Sequence, residues 1–251
     1  PVAVDALVTL SPGSGDASSR NPSAPEDAEA HARLGASVSS STIGPRERGG
    51  EGYPETIDPA RFRPLFEPES LAIVGVSDNP LKWGYRILFN TREGGYTGRL
   101  YGVNPNYNEL MGAPCYPSVS ALPEAVDLAL IVVPPPAVPD VLRECAAKGV
   151  GAALVITAGY GELDDDTARE AEAEIAAIAH ETGLLVVGPN CAGLASPSPE
   201  HLYCGMISRY PGAGGLSVVT QSGNVGNTVL SWAELHQVGV ARFIRDRKSV
   251  V

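Results

Sequence analysis

Basic charge is scarce in this chain of 251 residues: 18 Lys and Arg stand against 29 Asp and Glu, for a formal net charge of −11. A protein that wraps nucleic acid or lies on an anionic membrane needs a basic face to meet the phosphates. Those partners are therefore excluded, and small molecules or other proteins are expected. Cysteine is sparse too. Cys115, Cys145, Cys191 and Cys204 form no C-x-x-C pair and no cluster with His, which excludes a zinc site and a disulfide framework and fits reduced thiols in a cytoplasm. His31, His180, His201 and His236 are scattered, and none has the neighbours of a catalytic base or metal ligand. No run approaches the roughly 18 apolar residues of a membrane helix, and the N-terminus lacks a basic region followed by an apolar core. The hydrophobic fraction, 43%, is enough for a sizeable core in one or two globular domains.

Residues 1–60 are rich in Ser, Gly, Pro, Ala and charge, with little periodicity beyond Val2 to Leu10, and read as a disordered leader whose composition cannot offset its ordering entropy. From Pro59 the pattern changes. Apolar runs at Leu71–Val76, Leu100–Val103, Leu128–Val133, Ala152–Ile156 and Leu184–Val187 predict buried strands. Between them, Ala137–Lys148, ended by Gly149, and Asp164–Glu181, ended by Gly183, carry apolar residues three and four apart and predict helices. Alternation of this kind means βαβ units and a parallel sheet with helices on both faces, a first domain over 61–210. A second block, 211–251, repeats strand, glycine turn and helix: Gly214–Thr220, Gln221-Ser-Gly-Asn224, then Val225–His236. It reads as the opening of another α/β domain that ends before closing a sheet. Asp246–Val251 breaks the apolar pattern and corresponds to GAT CGG AAG AGC GTC GTG, a common sequencing-adapter read, so a truncated gene fragment is expected.

In such a fold ligands collect at the carboxyl ends of the strands. Leu71-Ala-Ile-Val-Gly-Val-Ser-Asp-Asn-Pro-Leu-Lys-Trp-Gly84 is the most informative stretch: a strand, a turn permitted by Gly75, then Lys82 and a helix start whose free N–H groups suit an anion. It is not a regular dinucleotide fingerprint, because Ser77 replaces the second glycine of G-x-G-x-x-G and Gly84 stands further along. Asn104 and Pro105 follow the next strand, where an NAD-binding unit places Asp or Glu for the ribose hydroxyls, which counts against NAD. Pro134-Pro-Pro136 either presents a flat apolar wall to an adenine ring or merely ends a strand. Thr157-Ala-Gly-Tyr-Gly-Glu162 is a glycine-loosened loop, with Glu162 also readable as a solvated helix-start residue. Cys191, in Gly188-Pro-Asn-Cys-Ala-Gly193, has no base at a diagnostic spacing and reads as part of a structural turn. Ser222-Gly223 either gathers a hydroxyl and N–H groups around a phosphoryl group or is an ordinary N-cap.

Taken in order, Val74–Gly84, Tyr101–Pro105, Val132–Pro136, Ile156–Glu162, Gly188–Gly193 and Val219–Gly223 resemble the CoA-binding and following domains of NDP-forming acyl-CoA synthetases, the family of ADP-forming acetyl-CoA synthetase and the succinyl-CoA synthetase alpha subunit. The similarity spans about residues 62–244. It implies a Rossmann-like CoA-binding domain followed by the truncated start of a flavodoxin-like domain. It implies that Gly75, Ser77, Lys82 and Gly84 hold CoA phosphates, that Val133, Pro134 and Pro135 line the adenosine side, that Thr157, Ala158 and Gly159 approach the pantetheine arm, and that Asn104 belongs to the same cofactor-binding set. Asn106 stands where relatives often carry Lys or Arg, which weakens one phosphate contact. The family's chemistry passes through an acyl phosphate and a phosphohistidine, steadied by the Ser222-Gly223 turn and by a helix of an ATP-grasp domain, with ADP or ATP and Mg bound there. That histidine lies downstream of the Gln-Ser-Gly turn, beyond this sequence, so no catalytic residue and no metal ligand is assigned here. The expectation is the CoA-binding part of an ADP-forming acyl-CoA ligase, oligomeric when complete and partnered by an ATP-grasp domain or subunit. The alternative is a CoA-binding regulatory module of a protein acetyltransferase.

Overall fold

The structure, a computed structural model, describes residues 6–10, 58–160, 166–207 and 209–246. The element order is β1 (Ala6–Leu10), α1 (Arg63–Phe66), β2 (Ser70–Val74), α2 (Trp83–Glu93), β3 (Arg99–Val103), β4 (Glu109–Leu110), β5 (Ala113–Tyr116), β6 (Leu128–Ile131), α3 (Val138–Lys148), β7 (Ala152–Val155), α4 (Asp166–Thr182), β8 (Leu185–Val187), β9 (Gly193–Ser196), β10 (Leu202–Gly205), β11 (Ala213–Thr220), α5 (Gly223–Leu235) and β12 (Val240–Arg245).

Every residue of β2, β6, β7 and β8 is buried. Continuous burial of Val, Ile, Leu and Ala is what a parallel strand covered on both faces demands. These strands form a seven-stranded sheet in the order β4-β5-β3-β2-β6-β7-β8, parallel except where β4 runs against β5. Setting aside β4, this is the 3-2-1-4-5-6 order of doubly wound nucleotide-binding folds, with β2 and β6 at the switch point. One face is covered by α3 and α4 through Val138, Leu142, Cys145, Ile175 and Ile178. On α3 the first three of these stand four and three residues apart, and Gly149, at φ 83°, ends the helix in the left-handed conformation. The other face is covered by α1, α2 and the β9–β10 hairpin through Leu65, Ile87, Leu88, Leu194, Leu202 and Cys204.

The second block departs from expectation. It does form a sheet, five strands in the order β1-β11-β12-β9-β10, by recruiting the β9–β10 hairpin from the stretch assigned to the first domain and β1 from the stretch read as a disordered leader. The βαβ unit β11-α5-β12 is parallel, as expected, and encloses its own core of Leu216, Val218, Leu230, Ala233, Val240 and Phe243. Residues 1–5 and 11–57 of the expected leader, Glu162 and the adapter-like Arg247–Val251 lie outside the described residues. Among the described residues no helix is long and apolar enough to cross a membrane.

All four cysteines are buried free thiols. Burial pushes Cys145 and Cys204 up to about 12 and raises Cys191 further, with Asp246 adding to its shift. A buried protonated thiol is a poor nucleophile, which fits the reading of Cys191 as structural. Because the folded chain holds these protons more tightly than the unfolded one, the stability they contribute is whole below about pH 8.5, the unfolded thiol value, and is lost as the pH rises through the folded values. An aromatic disulfide reagent at pH 8 is accordingly expected to label the native chain at least about 100-fold more slowly than the urea-unfolded chain. Rapid labelling of one native thiol would contradict the burial.

Candidate functional site

A cleft of about 830 Å³ opens where β2, β3, β6 and β7 end, within the ~300–1,000 Å³ typical of small-molecule sites. Its floor is the turn from β2 into α2. Gly75 has φ 101°, and a Cβ there would stand 2.8 Å from the Val132 carbonyl oxygen at the end of β6. Gly84, buried in the first turn of α2, is pressed on the Gly75 carbonyl, and any Cβ at Gly84 would overlap that oxygen. The two glycines bring the helix start onto the sheet edge, so the wide spacing between them still serves the close helix–strand packing of a dinucleotide turn. Lys82, the residue before α2, is extended and no side chain caps the helix. The first-turn amides are left for water or an anion, with the positive end of the helix dipole behind them.

The loops around this floor are fastened to each other. Asn104 donates from Nδ2 to the Val76 carbonyl (2.7 Å) and accepts on Oδ1 from the Asn106 N–H (2.9 Å). The Tyr107 hydroxyl donates to Asp78 Oδ1 (2.7 Å), and the Asn79 N–H donates to Ser77 Oγ (3.1 Å). On the far side the Thr157 hydroxyl donates to the Val133 carbonyl (2.7 Å), joining the loops after β7 and β6. The amide of Asn104 is thus engaged in shaping the site.

Gly75, Ser77, Lys82, Gly84, Asn104, Val133, Pro134, Thr157 and Ala158 all line the cleft. Pro135 and Gly159 do not; a Cβ on Gly159 would touch Pro135 Cγ at 3.2 Å, and the Pro135 carbonyl accepts from the Tyr160 hydroxyl (3.1 Å), so the two loops pack against each other here. Pro134-Pro-Pro136 ends β6 and turns through a 3-10 segment into α3. Ser222 and Gly223 lie apart from the cleft lining, at the start of α5 in the second sheet. Ser222 is the N-cap there, its Oγ accepting from the Val225 N–H at 3.4 Å, which is the ordinary capping role. Sequence reasoning missed Leu81, Trp83, Tyr107, Val119, Glu144 and Met206 in the cleft wall. Trp83 stands in the stretch already singled out. Met206 follows β10 and reaches the cleft only because that hairpin packs on α2, where Asn90 Nδ2 donates to the Gly205 carbonyl (3.2 Å).

Comparison with known proteins agrees with this geometry. Residues 69–197 match the CoA binding domain family. The chain is 38% identical over 177 residues to the ADP-forming acetate–CoA ligase of Methanocaldococcus jannaschii, covering 70% of this chain and 24% of that protein. It is 36% identical over 181 residues to the alpha subunit of ADP-forming acetate–CoA ligase II of Pyrococcus furiosus, covering 72% of this chain and 38% of that one. Among solved structures, the dinucleotide-forming acetyl-coenzyme A synthetase 1 of Ca. Korarchaeum cryptofilum, in complex with phosphate and ADP, superposes with a TM-score of 0.66 at 34% identity, over 74% of this chain and 39% of that one. The chain therefore spans between about a quarter and two fifths of the length of these relatives. With a nucleotide-sized cleft at the switch point and a family match over residues 69–197, the chain belongs to the CoA binding domain family.

Proposed function

We propose that the cleft binds coenzyme A, and that the chain is the CoA-binding portion of an ADP-forming acyl-CoA ligase of the acetate–CoA ligase type. The observation that carries this reading is the α2 start: uncapped amides, Lys82 beside them, and two glycines that let a pyrophosphate approach the backbone, all in a chain that resembles ADP-forming ligases along most of its length. In that role the chain's own residues bind and orient the thiol carrier. The acid–thiol ligation would pass through an acyl phosphate and a phosphohistidine outside this sequence, with the Ser222-Gly223 helix start as one support for the phosphoryl group. ADP or ATP with Mg would be held by an ATP-grasp domain or subunit. The alpha-subunit relative supports such a partner and an oligomeric complete form. Buried free thiols accord with a cytoplasmic setting.

Titration calorimetry of this chain with CoA, dephospho-CoA and NAD tests the reading. CoA is expected to bind, and NAD much more weakly or not at all; tight NAD binding without a CoA signal would overturn the assignment. Lys82→Ala is expected to weaken CoA on the order of tenfold, the worth of one charge-assisted contact at an exposed position. The effect should shrink as salt is raised. An unchanged dissociation constant at low salt would place the Lys82 ammonium in bulk solvent.

A further inference from the structure

Glu144 lines the cleft from α3, one turn after Val141, which lines it too. Its two carboxylate oxygens have different fates. Oε2 accepts from the Val119 N–H (3.1 Å), the Ser120 N–H (3.3 Å) and the Ser120 hydroxyl (3.4 Å), so it fastens the loop between β5 and β6 to the helix. Oε1 makes no hydrogen bond to any described residue. A carboxylate oxygen in a binding cleft keeps its full acceptor capacity for a ligand donor. The wall around it is formed by Pro117, Ser118, Val119 and Val141, apolar but for the Ser118 hydroxyl, which accepts from the Ala121 N–H (3.3 Å).

The position of Glu144 decides which part of a CoA molecule it can meet. The features suited to phosphate, Lys82 and the α2 amides, belong to the helix that covers one face of the sheet, whereas α3 covers the other. A carboxylate repels phosphate, so the anionic part of the ligand is directed toward α2. What fits beside Glu144 is flat, uncharged and equipped with an N–H. In CoA the group that best fills an apolar slot and offers an N–H is adenine; the pantetheine amides carry an N–H on a flexible chain without a ring, and the ribose hydroxyl sits beside the 3′-phosphate. Resting on the reading that CoA is the ligand, we infer that Glu144 Oε1 accepts a hydrogen bond from the exocyclic amine of the adenine and thereby selects adenine among purines. The Pro117–Ser120 loop, held by the other oxygen, forms one side of the base slot.

The test compares CoA with its inosine analogue, in which a carbonyl replaces the amine, by calorimetry on the wild-type chain and on Glu144→Gln. Wild type is expected to bind the analogue at least about tenfold more weakly than CoA, because two acceptors would face each other. In Glu144→Gln the carboxamide oxygen can still hold the loop while the NH2 faces the base, so CoA weakens about tenfold and the analogue holds or tightens. A merely structural Glu144 would change both ligands alike, which would overturn the inference. So would equal binding of the two ligands by wild type, a readout that needs no variant to fold, or a loss confined to 2′-deoxy-CoA, which would move the contact to the ribose. Absence of any CoA binding to wild type would instead defeat the functional reading itself, and this inference with it.

Discussion

Gly84→Ala is expected to remove measurable CoA binding, a loss of at least about 100-fold, and to cost about 1–3 kcal/mol of stability. A methyl at this position would occupy the place of the Gly75 carbonyl oxygen, which belongs to backbone and cannot rotate away. The strain must be relieved by lifting the start of α2 off the sheet edge. The amides beside Lys82 then lose their aim at the cleft. Gly183→Ala is the matched control: its φ of 72° is strained for alanine, yet nothing lies within 4 Å of the added Cβ and the position is outside the cleft lining. That variant should lose roughly 1–2 kcal/mol with CoA affinity retained. Calorimetry and denaturant unfolding of both variants check the difference. Intact CoA binding in Gly84→Ala would show that the α2 start does not touch the ligand.

Asp127→Ala should produce the opposite pattern, a large loss of stability with the cleft untouched. At the entry ends of β2 and β6, Asp127 Oδ2 accepts from the Glu69 N–H (2.9 Å), the Ser70 N–H (3.0 Å) and the Ser70 hydroxyl (3.0 Å), while Ser70 Oγ accepts from the Asp127 N–H (3.0 Å). Ser70 is 1% exposed, so water cannot replace its bonds without opening the sheet, whereas the Glu69 N–H lies at an exposed position. Removing the carboxylate strands donors in a buried place, on the order of 3 kcal/mol. The melting temperature should fall by roughly 6–12 °C for a unit of this size. Asp127→Asn, which keeps one acceptor oxygen, should recover part of it. The residue lies at the end of the strands opposite the cleft, so the folded fraction should bind CoA as wild type does. An unchanged melting temperature would mean that the two strand starts are held by backbone pairing alone.

The two variants separate what could be read along the chain from what could not. The strands at Leu71, Leu100, Leu128, Ala152 and Leu184 were legible because a parallel strand buried on both faces needs an unbroken apolar run. The structure begins all five within one residue of the expected start and ends three of them one or two residues earlier. The hairpin β9–β10 was not legible. Its strands have four residues each and include Gly193 and Gly205, and their burial arises from packing on α2 and pairing with β12. Nothing local announces such a strand, which is why the second sheet was expected to remain unclosed. Within the cleft, Gly75, Lys82 and Gly84 were legible because turn chemistry is local. Glu144 was not, because a helical carboxylate near a lysine four residues on reads as a solvated face. Its actual partners, Val119 and Ser120, lie 25 and 24 residues back.

From the order of residues alone came the βαβ alternation, the strand ends at which a ligand collects, and the phosphate-suited turn at Gly75–Gly84. These follow from backbone sterics and from the period of burial, which act over a few residues. Only the tertiary structure decided that the β9–β10 hairpin belongs to the second sheet, that Met206 from its far end joins the cleft, and that Glu144 lines the cleft with one oxygen unbonded among the described residues. Those outcomes depend on which distant surfaces pack against each other, a choice made by the whole core at once and carried by no single stretch of the chain.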